Sequence, residues 1–261
     1  MSLIDIRNLS KSFVTRGRSP LFAIEGLNLS IENGEFCCLL GPSGCGKSTV
    51  LTMLAGFEQP TGGELLLAGR PIAAPGRDRA VVFQGDDSLY SWLTALENVE
   101  FGLKIQNVPK AERRERALKY IDMVGLMRAK DRYPSELSGG MKQRIQIARA
   151  LVGEPKILLM DEPLGALDAQ TREVMQFELR RIWEQTGTSV VFITHDIDES
   201  IILGTRIAVM TAGPSAHLRE QFDVTLGDDR SRTNPEYTRL YERIHTIVRE
   251  EVEKSRRADL R

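Results

Sequence analysis

The chain has 261 residues, enough for one large α/β domain or two small ones with an ample core. Its formal net charge of −1 provides no global field for nucleic acid or anionic lipid. Apolar residues at 41% and charged residues at 27% are ordinary for a globular protein, and no run of 18 apolar residues spans a membrane.

Alternating apolar residues across Leu3–Leu9, ahead of Phe13, predict a strand, and Thr15–Pro20 reads as a polar, basic loop. Leu27, Leu29 and Ile31 alternate again before the Asn33-Gly34 turn. Phe36–Leu40 is a short apolar run fit for a buried strand, and Thr49–Ala55 reads as a helix ending at Gly56. Between them lies Gly-Pro-Ser-Gly-Cys-Gly-Lys-Ser-Thr, Gly41–Thr49, a complete G-x-x-x-x-G-K-[ST] phosphate loop with a strand before it and a helix after it. Glycines let backbone N–H groups approach a phosphate chain. Lys47 would reach the β- and γ-phosphates, and the Ser48 hydroxyl would ligate Mg²⁺. This stretch predicts binding of a nucleoside triphosphate.

Glu64–Ala68, after the Pro60–Gly63 turn, reads as a further strand of an antiparallel subsheet, and Ala80–Phe83 as a short apolar run stopping at Gln84. From about 85 to 135 helical spacing takes over, with Ala117, Leu118, Ile121 and Val124 inward and Arg113, Arg114 and Glu115 outward. This reads as an inserted helical subdomain whose charges are a solvated face in preference to a docking surface. Ile157–Met160, Ser189–Thr194 and Ile207–Met210 are uninterrupted apolar runs separated by helical segments, the pattern of a parallel sheet covered on both faces. Ligands of such sheets bind beyond the carboxyl ends of the strands. The phosphate loop, Gln84, Asp161-Glu162 and His195 each follow a separate strand, so all four could converge on one site. The tail from 226 to 261 is too short for a second domain; Pro235–Arg256 looks helical, with Leu240, Ile244, Ile247 and Val248 as its apolar stripe.

Asp161, after four apolar residues, is placed to hold Mg²⁺ directly or through water. Glu162 could polarise the attacking water, or serve as a second Mg²⁺ ligand or a helix N-terminal acid. His195 could contact the γ-phosphate or that water, and Gln84 could reach Mg²⁺ or water. Ser138-Gly139-Gly140, ahead of a helical run through Ile145, Ala148 and Leu151, makes a second anion-binding helix start. A second such loop is useful if two chains face each other head-to-tail. Cys37, Cys38 and Cys45 give no disulfide framework, which fits a reducing compartment, and the N-terminus lacks a signal peptide. Because Cys45 lies in the phosphate loop, alkylating it should inhibit and ATP should protect.

In order, the phosphate loop Gly41–Thr49, Gln84, Leu137–Met141, Ile157–Glu162, Ala166-Leu167-Asp168 and His195 resemble the motifs of the ATP-binding cassette (ABC) ATPases. The resemblance covers residues 3 to about 225, which would form the cassette. It implies a P-loop core of mostly parallel sheet flanked by helices, with an antiparallel β subdomain and the inserted helical subdomain. It further implies that Gly41, Pro42, Ser43, Gly44, Cys45, Gly46, Lys47, Ser48 and Thr49 hold ATP, with Phe13 stacked on the adenine. Ser48, Gln84 and Asp161 would serve Mg²⁺, and Glu162, His195 and Gln84 would serve hydrolysis. Ser138, Gly139 and Gly140 would bind the γ-phosphate of a second copy, and Asp168 would join the two sites of that homodimer.

Within the family, Trp92–Val99, Met160–Arg172, Thr194–Ser200 and the Asn234–Glu251 tail resemble the ATPases of bacterial importers for nitrate, sulfonates or taurine. That resemblance implies integral membrane permease subunits, a periplasmic or extracellular solute-binding protein acting indirectly, and a peripheral place on the cytoplasmic face of the inner membrane. An ABC-type ATPase of a non-transport or export membrane complex is the alternative. Met141 departs from the glutamine general to the family. Gly85–Trp92 departs from the more apolar, Pro-containing stretch common in relatives.

Overall fold

The computed structural model describes residues 2–13, 20–85 and 88–259, with side chains to residue 256. Most of the basic Thr15–Pro20 loop, and Asp86 and Asp87 after Gln84, lie outside the described residues. In chain order the elements are β1 (Ser2–Phe13), β2 (Leu21–Glu32), β3 (Phe36–Leu40), α1 (Lys47–Ala55), β4 (Gly62–Leu67), β5 (Arg70–Pro71), β6 (Arg79–Val82), α2 (Ala95–Ile105), α3 (Lys110–Met123) and α4 (Gly139–Leu151). There follow β7 (Ile157–Asp161), α5 (Ala169–Thr186), β8 (Ser189–Thr194), α6 (Ile197–Leu203), β9 (Arg206–Met210), β10 (Leu218–Asp223) and α7 (Pro235–Asp259). They divide into two units, Met1–Gly76 with Ser189–Arg261, and Arg77–Thr188.

The first unit holds two sheets. An antiparallel sheet in the order β2-β1-β4-β5 alternates buried and exposed residues, as a sheet solvated on one face should. In the other, β9, β3 and β8 run parallel, with β3 between its two neighbours, and β10 adds antiparallel beyond β9. Every residue of β3 and of β8 is buried, which explains why β3 and the Val190–Ile193 stretch of β8 read as unbroken apolar runs. Burying each such Val, Leu, Ile or Phe stabilises by about 1.5–3 kcal/mol, so this pair of strands is a firm base for the loop that leaves β3. The rings of Phe36 and Phe192 add a tilted contact with centroids 5.7 Å apart.

In the second unit β6 and β7 pair in parallel, and α2, α3 and α4 pack on one another. Thr94 starts α2 with a capping box: its hydroxyl accepts from the Glu97 N–H at 3.3 Å while Glu97 accepts from the Thr94 N–H at 2.8 Å. Ala117, Ile121 and Val124 are buried as their spacing predicts, but Tyr120 is buried where Leu118 is only half-buried. Arg113 does not face outward. It lies half-buried beside the Glu100 carboxylate at 3.6 Å, while the more exposed Arg114 donates to the same carboxylate at 3.0 Å. A carboxylate this buried requires a partner, and two arginines one residue apart supply it.

Among the described residues no helix is long and apolar enough to cross a membrane. The three cysteines are free and buried.

Candidate functional site

The phosphate loop fills the gap between the buried end of β3 and the first residue of α1. The helix begins at Lys47, two residues earlier than its apolar spacing suggests, so Lys47 and Ser48 belong to its first turn. Gly46 sits at φ 91°, where an L side chain is strained, and a Cβ there would lie 2.7 Å from Ile24 Cδ1. Only glycine fits this joint. Lys47 is 5% exposed, and its Nζ donates to the carbonyl oxygens of Gly41 at 2.7 Å and Pro42 at 2.9 Å. The ammonium is therefore folded over the start of its own loop, fixed by two carbonyls and desolvated, which strengthens its field. The arrangement can hold an anion at the helix N-terminus. Pro42 and Thr49 are half-buried, while Ser43, Gly44 and Ser48 are exposed.

Cys45 is inside, at 1% exposure, with its Sγ 3.9 Å from Lys47 Nζ. Burial pushes its thiol up, against the pull of the lysine beside it. A buried thiol of raised pKa is a poor nucleophile, so alkylation of native Cys45 should be slow.

His195 is exposed in the link between β8 and α6. Thr194 Oγ1 donates to Glu199 Oε2 at 2.6 Å, and Asp196 caps α6 by accepting from the Glu199 N–H at 3.1 Å. These bonds clamp the backbone on both sides of the histidine. Phe13 ends β1, 46% exposed, with Lys11 Nζ over its ring at 5.2 Å. Lys11 is held by Glu58 and by the Gln59 carbonyl.

The second unit carries the other predicted residues. Asp161 is the last residue of β7, and Glu162 follows at φ 44°, a left-handed conformation costing a non-glycine residue about 1–2 kcal/mol. Such strain is concentrated at functional sites. The Gly165 N–H returns to the Glu162 carbonyl at 3.1 Å, closing a turn. Gln84 lies against that turn, since a Cβ on Gly165 would be 3.1 Å from Gln84 Nε2. Asp168 caps α5, accepting from the Thr171 N–H at 3.0 Å and hydroxyl at 2.7 Å, and these bonds hold its carboxyl below the usual range.

Ser138 caps α4 and accepts a long bond, 3.4 Å, from the Met141 N–H. The turn it starts packs on the next helix: a Cβ on Gly140 would lie 2.8 Å from Thr171 Cγ2. Sequence reasoning missed two anchors on α4. Gln146 Nε2 donates to the Gly85 carbonyl at 2.9 Å, and Arg149 donates to the Ser88 carbonyl at 2.8 Å. Together they hold Gly85 and Ser88 against α4. Their only signal is the i, i+3 spacing on a helix that also buries Gln143 among its apolar residues.

The family described as ABC transporter matches residues 24–165. The nitrate import ATP-binding protein NrtD of Synechocystis is 42% identical over 254 residues, 94% of this chain and 95% of that protein. The taurine import ATP-binding protein TauB of Chromobacterium violaceum is 52% identical over 192 residues, 74% of this chain and 73% of its own. Among solved structures, the dimeric post-hydrolysis state of the ATP-binding cassette MJ0796, bound to ADP and phosphate, has a TM-score of 0.71 at 33% identity. That likeness covers 85% of this chain and 98% of the other. The chain belongs to the ABC transporter family, with the α/β P-loop fold of its ATP-binding cassettes, and is an ATP-binding, ATP-hydrolysing transporter subunit.

Proposed function

We propose that this ATPase drives an importer for a small anionic solute of the nitrate, sulfonate or taurine type. It works as a homodimer, at the cytoplasmic face of the inner membrane, against separate permease subunits. A periplasmic or extracellular binding protein supplies the solute. The observation that carries the chemistry is the buried Lys47 fixed over Gly41 and Pro42. A cation already held at the start of the loop has only to exchange carbonyl acceptors for phosphate oxygens when the nucleotide arrives.

In this reading Gly41–Thr49 cradles the phosphates and Phe13 takes the adenine. Ser48 and Asp161 offer hydroxyl and carboxylate oxygens, and Gln84 an amide oxygen. This donor set suits Mg²⁺, which favours one or two carboxylates with phosphate and water oxygens. Bound there, the ion would neutralise phosphate charge. Glu162 accepts the proton of the water that attacks the γ-phosphorus, the bond to the bridging oxygen breaks, and ADP and phosphate leave. His195 orients that water or the γ-phosphate, Gln84 senses it, Ser138, Gly139 and Gly140 serve the partner copy's nucleotide, and Asp168 links the two sites.

Residues 1–225 form the cassette, 226–261 a helical tail, and the helical part at 85–135 meets the permease. Supporting the last assignment, the second unit has a groove of about 940 Å³ with Trp92, Leu93 and Phe101 on its wall beside Lys104 and Lys110. Trp92 is 69% exposed. Its segment is held by the buried Asn98, whose Nδ2 donates to the carbonyls of Tyr90, Leu93 and Thr94 at 3.0–3.1 Å. A rigid backbone presenting an exposed aromatic in a groove lined also by Glu97 and Glu100 beside the cations suits an amphipathic helix of a membrane protein.

Uptake assays in cells lacking the gene test the reading. Wild-type chain should restore uptake of one such anion and Glu162→Gln should not. Normal uptake of nitrate, sulfonates and taurine without the chain, with export of another solute lost, would favour the export alternative.

A further inference from the structure

The tail helix α7 buries Tyr237, Ile244 and Glu251, each seven residues from the next and so on one face. Ile244 is apolar, and the Tyr237 hydroxyl donates to Asp198. Glu251 is a carboxylate only 2% exposed, and such a group is costly to bury unless it is paired. Its Oε1 accepts from Lys254 on the same helix at 2.5 Å, and Arg219 of β10 lies 3.6 Å away. Its Oε2 accepts from the backbone N–H of Ala212 at 3.0 Å. Burial pushes this carboxyl up, but Lys254, the Ala212 N–H and Arg219 outweigh it and hold it below the usual range.

Ala212 belongs to the turn between β9 and β10. That turn is closed by Thr211 N–H to the His217 carbonyl at 2.9 Å, and is tied to β2 by Ser215 N–H to the Phe22 carbonyl at 2.7 Å. Its inner side faces the phosphate loop. A Cβ on Gly213 would lie 3.2 Å from the Gly44 carbonyl oxygen and 3.7 Å from Cys45 Cα. One residue before the turn, Met210 Cβ would lie 3.2 Å from a Cβ on Gly41. The phosphate loop is thus backed at two points by chain that Glu251 holds from behind, all within the first unit.

We propose that Glu251 is a positioning residue for ATP: by holding the Ala212 N–H it keeps Gly213 against Gly44 and sets the spacing of the phosphate loop. The tail helix then acts on nucleotide affinity, an inference that rests on the phosphate-loop reading of Gly41–Thr49. Ordering the loop before ATP arrives saves that ordering at binding, so the effect falls on KM and not on the chemical step.

The test uses the full-length chain, with ATP affinity, KM, kcat and Tm measured for each variant. Glu251→Ala should raise KM and Kd for ATP roughly tenfold, with kcat at saturating ATP within about twofold of wild type. Glu251→Gln keeps an oxygen acceptor for Ala212 and should recover to within roughly threefold of the wild-type KM. Tyr237→Phe, which loosens the same helix at its other end, should lower Tm and leave KM unmoved. Glu251→Ala losing only Tm, or Glu251→Gln failing as badly as Glu251→Ala, overturns the proposal. Should Glu251→Ala fail to fold, Gly213→Ala presses on the Gly44 carbonyl directly and should raise KM; an unmoved KM overturns the proposal equally. Lys47→Ala separates the two levels. Unchanged ATP affinity there removes the phosphate-loop reading itself, whereas a loss there without one at Glu251 removes only the role of the tail.

Discussion

In the first unit the lysine of the phosphate loop is buried and spends its hydrogen bonds on two loop carbonyls, above strands with no exposed residue. In the second unit Gln84, Ser138 and Asp168 are exposed and Asp161 and Glu162 half-buried, at strand ends and helix caps, one of them at a strained φ. The difference teaches a division of labour. A buried, pre-paired cation is costly to set up and cheap to use, which suits a binding element. Exposed groups at strained or weakly capped positions can exchange partners at little cost, which suits residues that act only during turnover.

The largest effect should come from the second unit. Glu162→Gln keeps the size and removes the base, so phosphate release should fall by at least about 10²-fold while ATP still binds. Near-normal turnover would break the comparison at its catalytic side. Lys47→Ala attacks the other side. It deletes a charge-assisted contact worth roughly 1.5–3 kcal/mol, read as weaker ATP binding by equilibrium titration. A variant with unchanged affinity would show that the buried ammonium serves only the loop.

Smaller effects sharpen the boundary between the units. Thr94→Ala removes half of the α2 capping box and should cost about 1 kcal/mol in urea unfolding, without moving ATP affinity. The box also has a pH signature. The Thr94 N–H and hydroxyl hold the Glu97 carboxyl below its usual value. Its stabilisation is therefore complete above about pH 4.3, the ordinary glutamate value, and is lost as pH falls through the lowered folded value. The gap between wild type and Thr94→Ala should shrink over that acid range. Smallest of all is the response to thiol reagents. Native Cys45 should alkylate slowly at neutral pH and speed up only with denaturant, with ATP adding little protection. Fast, ATP-blocked labelling of the native protein would show the loop to be open.

Much of this was legible because it follows from backbone requirements. The runs Phe36–Leu40 and Ser189–Thr194 are apolar at every or nearly every position because both faces of these strands are covered. Gly46 and Lys47 announce a strand-to-helix joint whose Gly46 position only glycine fits. What stayed hidden was partnership. Arg113 and Arg114 read alike as surface charges, because sequence shows a charge and not the Glu100 opposite it. The strand β10, Leu-Arg-Glu-Gln-Phe-Asp, has little apolar content because it pairs with β9 alone and needs only Phe222 inside. The apolar stripe assigned to α7 found Ile244 but passed over Tyr237 and Glu251, whose burial depends on partners far along the chain. The burial of Cys45 was hidden for the same reason: membership of a phosphate loop does not reveal which side chains turn inward.

The most direct test of the transporter reading is to recover Glu162→Gln chain from its native membranes with Mg²⁺ and ATP present and identify what comes with it. A multi-spanning permease, retained with ATP and lost without it, is the predicted result. Recovery of soluble nucleic-acid or ribosomal proteins in its place would contradict it.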